Sequence, residues 1–176
     1  MKFSFRVTIS VLLIVKAANV YCQYSDFRFE NIGREQGLAY RGVNAIVQDK
    51  TGFIWIGSIL EGLTRYDGYN CIVYEHNSND ENSLADNEVH ALCAGDDGTL
   101  WVGTRKGLSR YDPKSNRFDN YFHSDSDRTS LSSNEIFALS KDSAGNIWIG
   151  TYGGGINLLL KKEFSKKKTF FFSLHS

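Results

Sequence analysis

Hydrophobic and polar positions recur along this chain with a period of 46 or 47 residues. Each period contains a run that is apolar on both sides of a tryptophan, written FIWIGS, TLWVGT and NIWIGT. A period in the forties, with several short apolar runs in each copy, predicts a stack of four-stranded units as in a β-propeller. The tryptophans are Trp55, Trp101 and Trp148, and the glycines that keep a fixed distance from them are Gly52, Gly57, Gly98, Gly103, Gly145 and Gly150.

Turn residues divide the first repeat into four predicted strands, at 43–48, 53–58, 63–67 and 71–75. Asp49 opens the first turn and Gly52 closes it, which is typical of a type I turn. The tryptophan strand is apolar on both faces, so we expect neighbouring blades to cover it. The three tryptophans are therefore predicted to lie in the core between blades, and the glycine two residues later where another backbone approaches. A sugar-stacking platform is the alternative, which three identical placements disfavour.

The predicted fold class is all-β, with three four-stranded antiparallel propeller blades after a signal peptide. Residues 1–22 are interpreted as the signal peptide, because Lys2 and Arg6 precede an apolar run at 7–15 that is too short to span a bilayer. An uncleaved anchor is the alternative. The repeats are placed at 28–75, 76–122 and 123–160, the third being incomplete. The basic, Phe-rich segment 161–176 is expected to lie outside the propeller, either as a frameshifted ending or as a genuine tail.

Charge and motif content argue against several classes of function. Residues 23–160 hold 12 basic and 19 acidic side chains, a net charge of −7, which argues against binding to nucleic acid through this region. The aspartates mostly recur in turns, and none forms the separated carboxylate pair that glycoside hydrolysis needs. We therefore predict no catalytic constellation, no metal site and no cofactor.

Ligand contacts are expected at positions that differ between the repeats. His90 stands where the other repeats carry Asn44 and Phe137, and it begins a strand predicted to lie near the central channel. Arg105 and Tyr152 lie in loops after the tryptophan strands. These three residues are the candidate ligand contacts, with an ordinary strand residue or a solvated loop as the alternative. His76 and His123 stand at equivalent positions and are predicted to form hydrogen bonds in the links between blades.

The repeat resembles the two-component regulator propeller repeat. The resemblance is carried by the patterns at 130–139 and 142–151, and by Gly-Leu-x-Arg-Tyr-Asp at 62–67 and 107–112. It implies the periplasmic sensor region of a hybrid two-component regulator, whose members detect oligosaccharides and carry a membrane helix and a histidine kinase. The third repeat departs from the pattern, because Leu158-Leu159-Leu160 replaces Arg-Tyr-Asp. We therefore expect a fragment of such a sensor.

Three functions remain open at this stage: an exported oligosaccharide-sensing module, a carbohydrate-active enzyme or lyase, and a protein-interaction scaffold. Three blades leave two end faces uncovered. If each exposes roughly 400 Å² of apolar surface, about 10 kcal/mol of burial is forgone per face at ~25 cal/mol per Å². We expect the chain alone to be poorly stable, or to cover these faces with further blades or with another copy of itself.

Overall fold

The computed structural model describes residues 28–38, 42–164 and 171–174, and it divides the chain into two units, Met1–Asn31 and Ile32–Ser176. In the first unit, the described residues 28–31 form neither helix nor strand. The predicted signal peptide at 1–22 lies outside the described residues. No helix within the described ranges has the length and apolarity needed to cross a membrane.

Twelve described strands form three antiparallel sheets, each with its strands in chain order, and we call the sheets blades 1, 2 and 3. The predicted all-β fold with four-stranded repeats is confirmed, and the strands of the first repeat end within one residue of their predicted bounds. Two short 3₁₀ helices lie at Arg34–Gln36 and Lys161–Glu163. The strands are β1 (Val43–Gln48), β2 (Ile54–Ser58), β3 (Leu63–Tyr66), β4 (Cys71–Tyr74), β5 (Val89–Ala94), β6 (Leu100–Thr104), β7 (Gly107–Asp112), β8 (Arg117–Tyr121), β9 (Ile136–Lys141), β10 (Ile147–Thr151), β11 (Gly155–Leu159) and β12 (Phe171–Leu174).

The last strand corrects one expectation. Residues 161–176 were expected to lie outside the propeller, but β12 pairs antiparallel with β11, with Leu159 opposite Phe171. Phe171 is buried against the core between blades 2 and 3. The expectation was wrong for Phe171–Leu174 because the sequence after β11 lacks the short glycine or asparagine turn that introduces the fourth strand of the first blade. An unpaired edge at β11 is thus avoided by a strand that arrives later in the chain.

Two apolar cores lie between consecutive blades. Trp55 and Leu63 of blade 1 pack against Val89 and Leu100 of blade 2, and Trp101 and Leu108 of blade 2 pack in the same way against Ile136 and Ile147 of blade 3. Trp55 is 1% exposed and Trp101 is 0% exposed. The expected placement of these two tryptophans between blades is therefore observed, and the blades are held together by burial of apolar surface.

In blades 1 and 2, the glycine two residues after the tryptophan leaves space for a side chain of the next blade. A Cβ placed at Gly57 would overlap Val89 Cγ1, and one placed at Gly103 would lie 2.6 Å from Ile136 Cγ2. The sequence predicted that another backbone approaches closely at this position. The approaching group is instead a branched side chain, that of the first residue in the first strand of the next blade. The glycine and the β-branched residue thus form one complementary contact, repeated 46 or 47 residues along the chain.

Blade 3 presents the same face without a described neighbour. Trp148 is 36% exposed and Ile156, which stands where Leu63 and Leu108 are fully buried, is 48% exposed. The three described atoms nearest to a Cβ placed at Gly150 all belong to Ala138 of its own blade. We call the surface formed by Trp148, Gly150 and Ile156 the open face of blade 3.

The turns between the first and second strands of blades 1 and 3 are built around one aspartate. Asp49 Oδ1 accepts hydrogen bonds from the backbone N–H groups of Thr51 and Phe53, while its Oδ2 accepts the indole N–H of Trp55 at 2.7 Å. Asp142 holds its turn in the same way and accepts the indole N–H of Trp148 at 3.1 Å. We call this end of the blades the turn end.

Blade 2 departs from this arrangement. Gly95 replaces the aspartate, and the buried Trp101 Nε1 has no hydrogen-bond partner in the described structure. Thr99 fills the space that an aspartate Cβ would need and donates its hydroxyl to Asp97 at 2.6 Å. The middle blade therefore carries an unsatisfied buried donor, which costs stability.

The links between blades repeat their hydrogen bonds. His76 Nδ1 lies 2.8 Å from the Leu84 carbonyl oxygen, and His123 Nδ1 lies 2.6 Å from that of Leu131. The prediction that the two histidines hold the links is confirmed. Since the same contacts occur in both links, they describe the architecture and do not mark a unique site.

Candidate functional site

A fixed backbone frame presents variable side chains at the end of the blades opposite the turn end. We call this end of the blades the loop end. Here the chain enters the first strand of each blade, and a short loop joins the second and third strands. The first loop residue donates its N–H to the carbonyl just before the first strand in all three blades, at 2.9 to 3.1 Å. These bonds join Ile59 to Gly42, Arg105 to Glu88 and Tyr152 to Glu135. The same frame thus carries an apolar, a cationic and an aromatic side chain.

Each first strand also contains a β-bulge at the loop end. The pairing register skips one residue in every blade, and the skipped residues are Asn44, His90 and Phe137. A bulged residue is released from the ladder, and its side chain is re-aimed, which is why bulges occur beside binding sites. The three bulged positions therefore combine a common backbone distortion with three different side chains.

The bulged side chains of blades 1 and 2 reach the following blade. Asn44 Nδ2 donates to the Val89 carbonyl oxygen at 2.9 Å, and His90 Nδ1 lies 3.1 Å from the Ile136 carbonyl oxygen. His90 Nε2 also lies 3.1 Å from Glu88 Oε1. His90 is therefore held by two polar contacts, and its ring stacks on Phe137 with ring centroids 4.6 Å apart.

Glu88 connects the two polar candidates. Its Oε1 contacts His90, and its Oε2 accepts a hydrogen bond from Arg105 Nη1 at 3.2 Å. The hydrogen bond with His90, helped by the Arg105 guanidinium and opposed by burial, holds the pKa of Glu88 below its usual value. The carboxylate is therefore ionised at neutral pH and compensates the charge of Arg105.

An aromatic row continues the cluster into blade 3. The Phe137 and Tyr152 rings lie 6.0 Å apart between centroids, and both side chains are exposed. Together with His90 they form three successive rings on one surface. We call Glu88, His90, Arg105, Phe137 and Tyr152 the loop-end cluster.

The structure brings the three sequence candidates together. His90, Arg105 and Tyr152 belong to one connected surface, joined by Glu88 and Phe137, which the sequence analysis did not single out. Phe137 was detectable, since it is the aligned partner of His90 in the next repeat. Glu88 was not detectable from the sequence, because Glu135 occupies the same position in the next repeat. Glu88 therefore resembled a residue that recurs in every link.

A second polar concavity lies at the link into blade 3. Its lining includes His123, Asp125, Arg128 and Ser130. The Leu131 carbonyl and the Asp125 carboxylate raise the pKa of His123. However, the hydrogen bonds of His123 and Ser130 recur at His76 and Ser83 in the preceding link. We attribute this concavity to the repeated link and place the candidate site at the loop-end cluster.

Among the described residues, no three His, Cys, Asp or Glu side chains are grouped so that they could hold a metal ion. The loop-end cluster offers exposed aromatic faces, one exposed guanidinium and one carboxylate. The exposed aromatic rings suit stacking against the apolar face of a ring in a ligand. The guanidinium and the carboxylate suit hydrogen bonding to polar groups at the edge of that ring.

Comparison with known proteins identifies the repeat. The family model described as two component regulator propeller matches residues 37–59, 83–106 and 130–153. The chain is 38% identical over 75 residues to histidine kinase P4 of Formosa agariphila, covering 43% of this chain and 5% of the kinase.

Solved extracellular domains of B. thetaiotaomicron have the same architecture. One belongs to a putative hybrid two component system, with a TM-score of 0.74 and 28% identity over 83% of this chain. Another, from a putative one component system, has a TM-score of 0.62 and 23% identity over 80% of this chain, which supports the fold alone. The chain spans 20% of each of those domains. The matched segments contain the tryptophan strand of every blade and the loop-end residues, and the three blades of this chain are two component regulator propeller repeats.

Proposed function

We propose that this chain is part of the ligand-sensing region of an exported two-component sensor, and that its loop-end cluster contacts an oligosaccharide. The observation that carries the proposal is the constant backbone frame of the loop end, which holds different side chains in each blade. The sensor assignment is supported by the propeller repeats and by the likeness to extracellular domains of two-component systems.

The chemistry of the cluster favours a neutral sugar. Phe137 and Tyr152 offer exposed ring faces on which the apolar face of a pyranose can stack. Arg105 is paired with Glu88, and Lys106 with Asp86 at 2.9 Å, so the positive charges beside the cluster are compensated. A strongly anionic ligand would have to compete with these carboxylates, whereas hydroxyl groups add hydrogen bonds without displacing them.

Titration calorimetry of the purified chain with fractionated neutral oligosaccharides tests the proposal. We expect one fraction to bind, and the Tyr152→Ala variant to bind it at least tenfold more weakly, since loss of a stacking ring costs about 1.4 kcal/mol. Tyr69→Ala is the matched control, because Tyr69 is an exposed tyrosine in the turn between β3 and β4.

Chromatography of the same mixtures checks for turnover. Recovery of intact oligosaccharide agrees with a sensor, and accumulation of shorter sugars would instead support the enzyme alternative. If Tyr152→Ala and Tyr69→Ala weakened oligosaccharide binding equally, the loop-end cluster would not be the binding site.

A further inference from the structure

We propose that a cavity between the turn ends of blades 2 and 3 binds a small monocarboxylate, such as butyrate. The cavity has a volume of about 170 Å³. Its walls come from the turns of both blades, from the second strand of blade 3 and from the segment after β11, and they include Gly95, Asp96, Lys141, Ile147, Lys161 and Phe164. The cavity lies at the opposite end of the blades from the loop-end cluster, so it is a separate site that does not depend on oligosaccharide binding.

The cavity exists because a carboxylate and a phenol ring of the first blade interface are missing from the second. Between blades 1 and 2, Trp55 donates its indole N–H to Asp49 and packs on the Tyr111 ring, with ring centroids 4.9 Å apart. Between blades 2 and 3, Gly95 stands in the position of Asp49, and Leu159 stands in the position of Tyr111. Two smaller residues at the same contact leave space beside the tryptophan of blade 2.

The tryptophan of blade 2 directs a buried hydrogen-bond donor at this space. Trp101 is 0% exposed, and its Nε1 has no hydrogen-bond partner among the described residues. In blades 1 and 3, the same indole N–H reaches the side chain of the residue six positions earlier. In blade 2 that residue is Gly95, which lines the cavity, and the wall residue Phe164 packs on the Trp101 ring with centroids 5.1 Å apart. An oxygen of a ligand in the cavity would therefore satisfy the indole N–H.

The charges around the cavity favour an anion. Asp96 lies 2.6 Å from Lys141 of blade 3 and 3.4 Å from Lys50 of blade 1, and hydrogen bonds with these lysines hold the pKa of Asp96 below its usual value. Lys161 lines the cavity and has no ion-pair partner among the residues that the structure describes. Three lysines thus surround the two wall carboxylates, Asp96 and Asp97. One negative charge on a ligand would balance the group.

The volume and the apolar part of the wall set the size of the ligand. A cavity of about 150 Å³ is large enough for a molecule the size of benzene, and butyrate is of similar size. Ile147 and Phe164 offer apolar surface to an alkyl chain, while Lys161 and the indole N–H of Trp101 receive a carboxylate. The bound carboxylate would act on Trp101 as the side chain of an aspartate acts on the tryptophans of the other two blades.

Proton–nitrogen NMR spectra of the full chain test the proposal, because each tryptophan gives one indole N–H signal. Sodium butyrate is compared at constant ionic strength with butyramide, which has the same shape but no charge. Lys161→Gln removes the unpaired ammonium group, and Lys162→Gln is the matched control, since Lys162 is an exposed neighbour that is not part of the wall. The double replacement Gly95→Asp/Thr99→Asn places a carboxylate of the chain itself beside Trp101, in the arrangement that blade 3 already has.

We expect butyrate to shift the Trp101 signal until it saturates, with the Trp55 signal unchanged and butyramide at least tenfold less effective. Lys161→Gln should weaken butyrate binding about tenfold, and Lys162→Gln should bind butyrate like the parent chain. In the double variant, the Trp101 signal should be shifted without butyrate and respond no further to it. A Trp101 signal that butyrate leaves in place would overturn the proposal. So would an equal response to butyramide, or equal weakening by the two lysine variants.

Discussion

The turn end and the loop end of the blades share one backbone plan and use it differently. At the turn end, Asp49 and Asp142 accept hydrogen bonds from corresponding backbone N–H groups and from the indole N–H of the tryptophan in the following strand. At the loop end, the backbone contacts are equally regular, but the side chains that they carry differ in every blade. The comparison separates residues that stabilise the blades from residues whose side chains are free to vary. Both kinds recur in the sequence with the same period.

Removing the aspartate of a turn should produce the largest effect. Asp49→Ala removes acceptors for Thr51, Phe53 and Trp55, and leaves the indole N–H of Trp55 buried without a partner. We expect a loss of about 3 kcal/mol in the free energy of unfolding, measured by urea denaturation.

Arg105→Ala is the matched change at the loop end, where the ion pair with Glu88 is solvent-exposed. It should change the free energy of unfolding by no more than about 0.5 kcal/mol. Similar losses from both replacements would erase the distinction between the two ends.

The second largest effect on stability should come from acid, which protonates the aspartates of the turn end. Burial, the largest single contribution, raises the pKa of Asp49, but hydrogen bonds from Thr51, Trp55 and the backbone together lower it below its usual value. The hydrogen bonds from Asn146, partly opposed by burial, lower the pKa of Asp142 in the same direction. A carboxyl with a depressed folded pKa contributes stability that is fully present above the unfolded value of about 3.9 and is lost as pH falls through the folded pKa.

The melting temperature should therefore stay level from pH 7 to about 5 and fall below about pH 4. Asp49→Asn is the control, since an amide cannot titrate; its melting temperature should depend less on pH below 4. An identical acid dependence in the variant would show that Asp49 does not supply this part of the stability.

A milder effect is expected at the aromatic row. Phe137→Ala removes an exposed ring that stacks on His90 and lies beside Tyr152. We expect about tenfold weaker oligosaccharide binding by calorimetry, with the free energy of unfolding changed by less than about 1 kcal/mol. A variant that binds normally would confine the site to the polar part of the cluster.

The smallest effect should come from giving blade 2 the turn of blade 3. Gly95→Asp alone would collide with Thr99, whereas the double replacement Gly95→Asp/Thr99→Asn reproduces the pair formed by Asp142 and Asn146. We expect the double variant to gain about 1 kcal/mol in urea denaturation, because Trp101 Nε1 acquires an acceptor. A loss of stability would mean that Gly95 is needed for a reason other than the space taken by Thr99.

Periodicity was sufficient to predict the blades, their strand bounds and the burial of Trp55 and Trp101, because these features depend on residues that recur in every copy. Periodicity failed to predict the exposure of Trp148. This residue lies in the same sequence motif as Trp55 and Trp101, but its side chain is 36% exposed because burial depends on a neighbouring blade. Periodicity failed for β12 as well, since a strand that forms without a short turn leaves no local signal.

The candidate site was predictable only in part, for a related reason. Differences between aligned positions pointed to His90, Arg105 and Tyr152, but not to the contacts among them. The ion pair between Glu88 and Arg105 joins residues 17 positions apart, and the stacking of His90 on Phe137 crosses from one blade to the next. Contacts of this kind follow from the packing of sheets, which no single repeat encodes.

The bulges at Asn44, His90 and Phe137 have a consequence for how such a protein diversifies. A residue left out of the ladder has no cross-strand partner to satisfy, so its replacement leaves the register of its sheet intact. Each blade therefore offers one position whose replacement leaves the strand pairing intact, and at Asn44 and His90 the replacement also removes a hydrogen bond to the next blade. A library randomised at these three codons would therefore vary the surface of the loop end without changing the strand register of any blade.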